Sequence, residues 1–454
     1  MEYSFLKPLL YFLGILFLGL ISEAFGHNGK KISYYINLLA NTILFAFFIT
    51  SSQFSLSASF ALEGITLKTS QILVFFNLAL CLYNGPSVQK SSKSVLVTSF
   101  LLLAGMLVLG SQNFMTFFIS SELLLVLFTV TISLSEFSNG KIIAFRYFIQ
   151  SSIFTILLCL SGAFILASTQ SLSFQEITVV NQELYALGIV FLIIVAAFRI
   201  GVFPFHHWVS EVYSSLGNVG IASALLIKRV VFSIAFINLI QKFLPELTTN
   251  FQLVIINTVS AISILSILYG GLLAFTQDNP RKSIAFTVVS LSGLVILGGL
   301  FSSSVVSSDK MLFLVLSSSL CATGVFWVFN QVLQEDAEFS DLRHLFFSKK
   351  FEASLLCIFL MSLVGLPFTI GFQSKFLIFL SYLQENFLGA FLVGALSCLL
   401  GLILIYKFLS VVFDKPSVQL PGLPSIINLR DHSIQFIFLL IVVIIGVVPS
   451  FFFY

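Results

Sequence analysis

The chain has 454 residues, of which 58% are hydrophobic and 9% charged, against roughly 45–50% and roughly 25% in soluble proteins. So few charges cannot coat a soluble globule of this length, which excludes a soluble enzyme, a disordered chain, a coiled coil and a collagen. The formal net charge of +3, from 22 basic and 19 acidic residues, comes with no basic stripe and excludes a nucleic-acid binder.

A membrane helix needs about 20 mostly apolar residues. Fourteen such runs follow one another, at roughly 6–25, 32–50, 69–86, 94–111, 114–134, 143–168, 184–204, 218–240, 251–275, 283–302, 311–333, 352–379, 386–411 and 433–453. They are continuously apolar, whereas the strands of a membrane β-barrel alternate over about ten residues. The first run is too long for a cleaved signal and has no small-residue cleavage site, and no Arg-rich transit segment precedes it, so direct insertion is expected. Loop Lys and Arg mark the inside. With the start placed outside, loops after odd-numbered spans carry twelve Lys and Arg and loops after even-numbered spans carry three, with Lys7 a fourth outside charge. Both termini are then outside. The polar stretches Gln334–Lys350 and Asp414–Asp431, the latter with Pro416, Pro421 and Pro424, are too short to be soluble domains. Residues 1–454 are read as one transmembrane domain.

Cys81, Cys159, Cys321, Cys357 and Cys398 lie inside apolar runs. An odd count without C-x-x-C supports neither disulfides nor a metal site, so all five are expected to be small core residues. Phe makes up 54 of the 68 aromatic residues (54 Phe, 12 Tyr, 2 Trp), which reads as the codon bias of an AT-rich, organelle-type genome.

Ionisable residues inside spans are costly and are functional candidates. Glu122 sits in FFISSELLLVLF on span five, Arg199 near the end of span seven, Lys228 and Arg229 in SALLIKRVVFSI on span eight, and Lys375 late in span twelve. A buried Lys sheds its proton readily when desolvated or placed near another cation, whereas Arg stays charged. By chemistry alone Lys228 and Lys375 are candidate proton carriers, Glu122 is a field-setting or carrier acid, and Arg199 is a permanent counter-charge. Proline interrupts two spans, at Pro204 in GVFPFHHW and at Gly365-Leu366-Pro367 in VGLPFTIGF. Broken helices at membrane depth persist where they line a polar cavity or are buried in protein, and a pair of them points to internal repeats around an ion path. The breaks are five helices apart, so the repeats, roughly 94–240 and 251–411, would be inverted. His206 and His207 follow the first break and are relay candidates by their near-neutral pKa. There is no phosphate loop, dinucleotide fingerprint, nucleophile elbow or bis-His haem pattern.

Four segments in order, SSELLLV, FRIGVFPFHHWVSEVY, TQDNPRKSIAFTVVSLSG and GLPFTIGFQSKF, resemble the family of chain 2 of respiratory NADH–ubiquinone oxidoreductase (complex I), the mitochondrial relative of bacterial subunit N. The resemblance runs from about span three to span thirteen. It implies an all-α antiporter-like fold of about 14 transmembrane helices with two inverted repeats. It also implies a proton-translocating role in the membrane arm. Glu122, Arg199, Lys228 or Arg229, and Lys375 would then form a chain of charges through the bilayer midplane. No cofactor is implied for this chain; NADH, FMN, iron–sulfur clusters and ubiquinone would belong to partner subunits. The implied partners are other membrane-arm subunits and lipids such as cardiolipin, and the implied location is the mitochondrial inner membrane with both termini on the intermembrane-space side. The chain departs from the family pattern at three places: Arg199 replaces a lysine, SSLGNVGIA replaces a Pro-rich segment, and Leu291 replaces a histidine on span ten. A cation/proton antiporter subunit and a structural membrane-arm spacer are the alternative readings.

Overall fold

The computed structural model describes residues 6–23, 26–50, 54–57, 59–84, 92–135, 137–175, 177–301, 306–414, 439–444 and 446. The described chain falls into two compact units, Met1–Arg199 with Ala222–Ile255, and Ile200–Ile221 with Ile256–Tyr454.

The first unit begins with helices α1 (Leu6–Glu23) and α2 (Gly26–Thr50), followed by a short antiparallel hairpin of β1 (Phe54–Ser57) and β2 (Phe60–Leu62). Helices α3 (Gly64–Asn84), α4 (Ser92–Gly110), α5 (Phe114–Ser133), α6 (Gly140–Thr169) and α7 (Gln182–Ile200) come next. After the short helices α8 (His207–Ser214) and α9 (Asn218–Ala222), a π-helical stretch, Ser223–Arg229, runs straight into α10 (Val230–Phe243). The π stretch and most of α10 are buried on every side, the charged Lys228 and Arg229 included.

Apolar helices have little reason to prefer one another over lipid, so buried polar side chains and small residues hold them together. Asn41 of α2 donates to Asn37 O (2.9 Å) and to Ser99 Oγ of α4 (3.1 Å). Asn77 of α3 donates to Asn41 Oδ1 (2.7 Å) and to Ser99 Oγ (3.0 Å). Asn41→Leu is expected to cost about 1–2 kcal/mol, measured as a lower melting temperature of the assembled protein.

The second unit holds α8, most of α9, and α11 (Thr249–Thr276, its first turns lying in the first unit), α12 (Pro280–Leu300), α13 (Ser308–Val332), α14 (Leu345–Ser348), α15 (Lys350–Val364), α16 (Ile370–Gln384) and α17 (Leu388–Val412). Helices α12 and α13 are buried almost throughout. The α11–α12 seam is built from small residues. Ser266 Oγ donates to Val289 O (3.1 Å) and Ser290 Oγ to Ile267 O (3.0 Å), and a Cβ on Gly293 would stand 2.8 Å from Ser263 O. Arg281, 1% exposed, donates to the carbonyls of Phe329 (3.4 Å) and Leu333 (3.0 Å), and so caps the end of α13.

Among the described residues, eleven helices are long and apolar enough to cross a membrane, fewer than the fourteen runs in the sequence. Span twelve is divided into α15 and α16 of 15 residues each. The last run and the stretch Asp414–Asp431 lie mostly outside the described residues. Span seven ends at Ile200, ahead of Pro204, because Gly201 takes a left-handed φ of 84° there. The polar stretch Gln334–Lys350 carries a 3-10 turn, Phe339–Leu342, and the one-turn α14.

The cysteines divide. Cys81, Cys321 and Cys357 are buried as expected, but Cys159 is exposed and Cys398 half-buried. Cys159 shares α6 with exposed Phe145, Ile149, Ile153 and Ile156. A helix that is apolar all round does not announce which face meets lipid or a neighbouring subunit and which meets its own protein.

Candidate functional site

In the first unit, Asn113 caps α5, its Oδ1 accepting from Thr116 N at 2.8 Å. Glu122 follows some two turns later. Arg199, the penultimate residue of α7, donates from Nη2 to Glu122 Oε1 and from Nη1 to Ser121 O (3.0 Å), and its guanidinium lies 5.0 Å from the centre of the Phe232 ring on α10. Thr155 Oγ1 on α6 gives the Glu122 carboxylate a second hydrogen bond, donating to Oε2 at 2.8 Å. The Arg199 side chain is 2% exposed and that of Glu122 23%. The pair therefore sits at a partly open edge, each charge offsetting the cost of burying the other. The sequence reading missed Thr155, because one Thr in the run SSIFTILLCL carries no sign of the direction it faces.

Lys228 is the penultimate residue of the π-helical stretch and is 1% exposed. Its Nζ lies 4.6 Å from the ring centre of Phe128 on α5 and 5.1 Å from that of Tyr147 on α6. The negative faces of aromatic rings hold a cation this way where carboxylates are scarce. Tyr147 also stacks at 6.2 Å on Phe198, the residue before Arg199. Arg229 is equally buried, at 1% exposure. The π geometry is invisible in sequence, yet such turns recur at functional sites.

In the second unit, span twelve breaks for legible reasons. Gly365 closes α15 with a left-handed φ of 94°, its N–H donating to Met361 O at 3.1 Å, a conformation that favours glycine. Pro367 brings no N–H, and Thr369 restarts the helix by accepting from Phe372 N at 3.4 Å. The break leaves carbonyls at the end of α15 without helical partners. Lys375 of α16, 4% exposed, reaches back and donates to Val364 O (2.7 Å) and Leu363 O (3.1 Å). A cation thus sits at the negative end of a helix. A cavity of about 20 Å³ beside Lys375 is lined in part by Thr287, Ser290, Leu291 and Ser397, room for a single water. Leu291 thus lines the same small cavity as the lysine, at a position where the resemblance implies a histidine.

His206 is buried at 2% exposure, between Phe203 (5.7 Å between ring centres), Tyr269 (5.1 Å) and Phe286 (6.0 Å). Burial, and secondarily the neighbouring His207, push its pKa down to about 4, so the ring is neutral at physiological pH. His207 and Pro204 are exposed, and the Phe203–Pro204 peptide is cis. The backbone around this break is tied by Ser292 Oγ donating to Ile200 O (3.4 Å) and Phe203 N donating to Ser266 Oγ (3.3 Å). Among the described residues, no group of three or more His, Cys, Asp and Glu could hold a metal ion.

The structure thus brings Glu122 and Arg199 into one ion pair with Lys228 nearby in the first unit, and sets Lys375 on a broken helix in the second. Buried charges on interrupted apolar helices define an antiporter-like, multi-pass membrane protein. The family described as NADH:quinone oxidoreductase/Mrp antiporter, TM, matches residues 111–401, well over half of the chain, and the chain belongs to this family. NADH-quinone oxidoreductase subunit N 2 of Aquifex aeolicus is 24% identical over 363 residues, covering 78% of this chain and 73% of the relative. Subunit N of Bdellovibrio bacteriovorus is 27% identical over 353 residues, covering 74% and 71%. A chain of respiratory complex I from Thermus thermophilus shares the fold with a TM-score of 0.80 at 18% identity over 98% of both chains. A chain of the Mrp complex from Dietzia sp. DQ12-45-1b does so with a TM-score of 0.77 at 14% identity, over 98% of this chain and 94% of that one. The all-α antiporter-like fold expected from the sequence is the fold found.

Proposed function

We propose that this chain is a proton-translocating membrane-arm subunit of a respiratory NADH:quinone oxidoreductase, moving protons while the redox chemistry proceeds in partner subunits. The observation that carries the proposal is the Glu122–Arg199 ion pair in one compact unit with the buried Lys228. While the pair is closed, the carboxylate offsets the guanidinium charge. If Glu122 turns away or takes a proton, an uncompensated cation faces Lys228 and disfavours its ammonium form. Lys228 then releases its proton, and Arg199, which cannot lose its own, acts only through its field. Lys375 is the corresponding carrier of the second unit, held by open carbonyls in place of a carboxylate, and inverted repeats at roughly 94–240 and 251–411 are part of the same reading. NADH, FMN, iron–sulfur clusters and ubiquinone belong to partner subunits in this proposal. The Phe-rich composition supports the mitochondrial inner membrane as the location, and the Lys and Arg asymmetry supports termini on the intermembrane-space side.

The test is the proton-to-electron ratio of the intact complex in sealed vesicles, read with a pH-sensitive dye. Lys228→Met is expected to lower that ratio while NADH-driven quinone reduction continues, and an unchanged ratio removes Lys228 from the mechanism. The family also includes Mrp antiporters, so cation-for-proton exchange without NADH would favour the antiporter reading. Swapping Arg199→Lys with no change in pumping would favour a structural spacer.

A further inference from the structure

The first unit also holds a cavity of about 410 Å³, lined by Glu63, Gln112, Gln175, Asn238 and Lys242 together with Phe117 and Phe174. Neither Glu122 nor Arg199 borders it. Its polar lining comes from the ends of four spans: Glu63 precedes α3, Gln112 joins α4 to α5, Gln175 follows α6, and Lys242 lies in the last turn of α10. Span ends lie where the hydrocarbon gives way to lipid head groups, and on the orientation proposed above all four lie at the outer face. Lys242 is fixed in place: its Nζ donates to Gln112 Oε1 (3.2 Å) and lies 5.7 Å from the Phe174 ring centre, while Gln112 Nε2 donates to Ala61 O (3.0 Å).

The two charges on this cavity have opposite signs and do not meet. Lys242 is half-buried, with a neutral amide and an aromatic ring as its neighbours. An ammonium carries three donors, so donors remain for a further acceptor. Glu63 is exposed and bonds through its backbone, its N–H donating to Thr66 Oγ1 (3.0 Å) and its O accepting from that hydroxyl (2.9 Å). Among the described residues its carboxylate forms no ion pair. A lone anion drawn to Lys242 would be repelled by Glu63, and a lone cation drawn to Glu63 would be repelled by Lys242. A ligand that carries both charges is complementary to both walls. Its cationic pole is a primary ammonium, because a carboxylate binds through N–H donors, whereas a quaternary ammonium is held by aromatic faces and Phe174 already faces Lys242. Its anionic pole needs several acceptors, for the ammonium of Lys242 and for neighbouring amides, and a phosphate supplies them. The cavity has room for such a group, since small-molecule sites span roughly 300–1,000 Å³.

We propose that the 410 Å³ cavity is a binding site for a phosphoethanolamine zwitterion, Glu63 taking the ammonium and Lys242 the phosphate. The same chemistry is offered by the head group of an ethanolamine phospholipid and by the free compound. The test uses Gln175→Cys as a reporter in the intact complex, labelled with a membrane-impermeant charged methanethiosulfonate and read by peptide mass spectrometry to set the native cysteines apart. In detergent, free phosphoethanolamine should slow labelling several-fold, while ethanolamine alone, inorganic phosphate alone and phosphocholine should leave the rate unchanged. Protection should be lost in a Glu63→Gln background and in a Lys242→Gln background. The Glu63 carboxylate makes no contact that the fold needs, so the first variant decides the matter should the second fail to assemble. Labelling indifferent to phosphoethanolamine, protection that survives Glu63→Gln, or equal protection by inorganic phosphate overturns the proposal. Reconstitution into vesicles of phosphatidylethanolamine or of phosphatidylcholine then separates the two sources. Slower labelling in the ethanolamine vesicles, relieved by Glu63→Gln, makes the lipid head group the occupant, and equal rates in both make it the free compound. None of these readouts depends on redox-driven pumping.

Discussion

Lys375→Met in the intact complex is expected to lower the proton-to-electron ratio and to weaken the fold at the break in span twelve. The two effects have separate origins. Removing the ammonium strips the Leu363 and Val364 carbonyls of their donor, and hydrogen bonds to a charged group contribute roughly 1.5–3 kcal/mol. Pumping depends on an amine that loads and unloads, which neither Met nor Arg can do. Lys375→Arg keeps a cation and donors at the carbonyls, so it should restore much of the thermal stability and none of the pumping. A full proton-to-electron ratio in the Arg variant would reduce Lys375 to a structural clamp.

Glu122→Gln should be among the most destabilising single changes in the first unit. It leaves Arg199 buried with the Ser121 carbonyl and the Phe232 ring as its neighbours, and removing one member of a buried ion pair typically costs about 3–5 kcal/mol. The double variant Glu122→Gln with Arg199→Gln removes the stranded charge and should recover part of that loss. The measurement is the melting temperature and yield of assembled complex for the two singles and the double. If losses simply add, the two residues are not coupled and the pair has no role in setting the field at Lys228. Pumping should fall in both singles, since a permanently uncompensated Arg199 and an absent one each remove the switch.

The membrane character and most spans were legible because an apolar run of about 20 residues has few other uses. The break at Gly365 and Pro367 was legible for a comparably local reason: a left-handed glycine and a residue without N–H stop a helix wherever they fall. Glu122 and Arg199 could be suspected as partners because an unpaired carboxylate in hydrocarbon would simply protonate. Other features had no local signature. A π stretch and an α stretch share the same composition, so Ser223–Arg229 read as ordinary helix. The aromatic seat of Lys228 needed Phe128 and Tyr147 from two other helices, among 68 aromatic residues that all look alike in sequence. Cys159 and Cys398 departed from the expected core because burial on an evenly apolar helix is decided by neighbours.

The interruption in span twelve also constrains biogenesis. Each half, α15 or α16, has 15 residues and extends about 22 Å, short of the roughly 30 Å hydrocarbon thickness. Neither half can anchor itself, and the second carries an ammonium whose nearest acceptors belong to the first. The translocation machinery must therefore release both halves laterally as one interrupted span, already joined through Lys375, because either piece delivered alone would be returned to water.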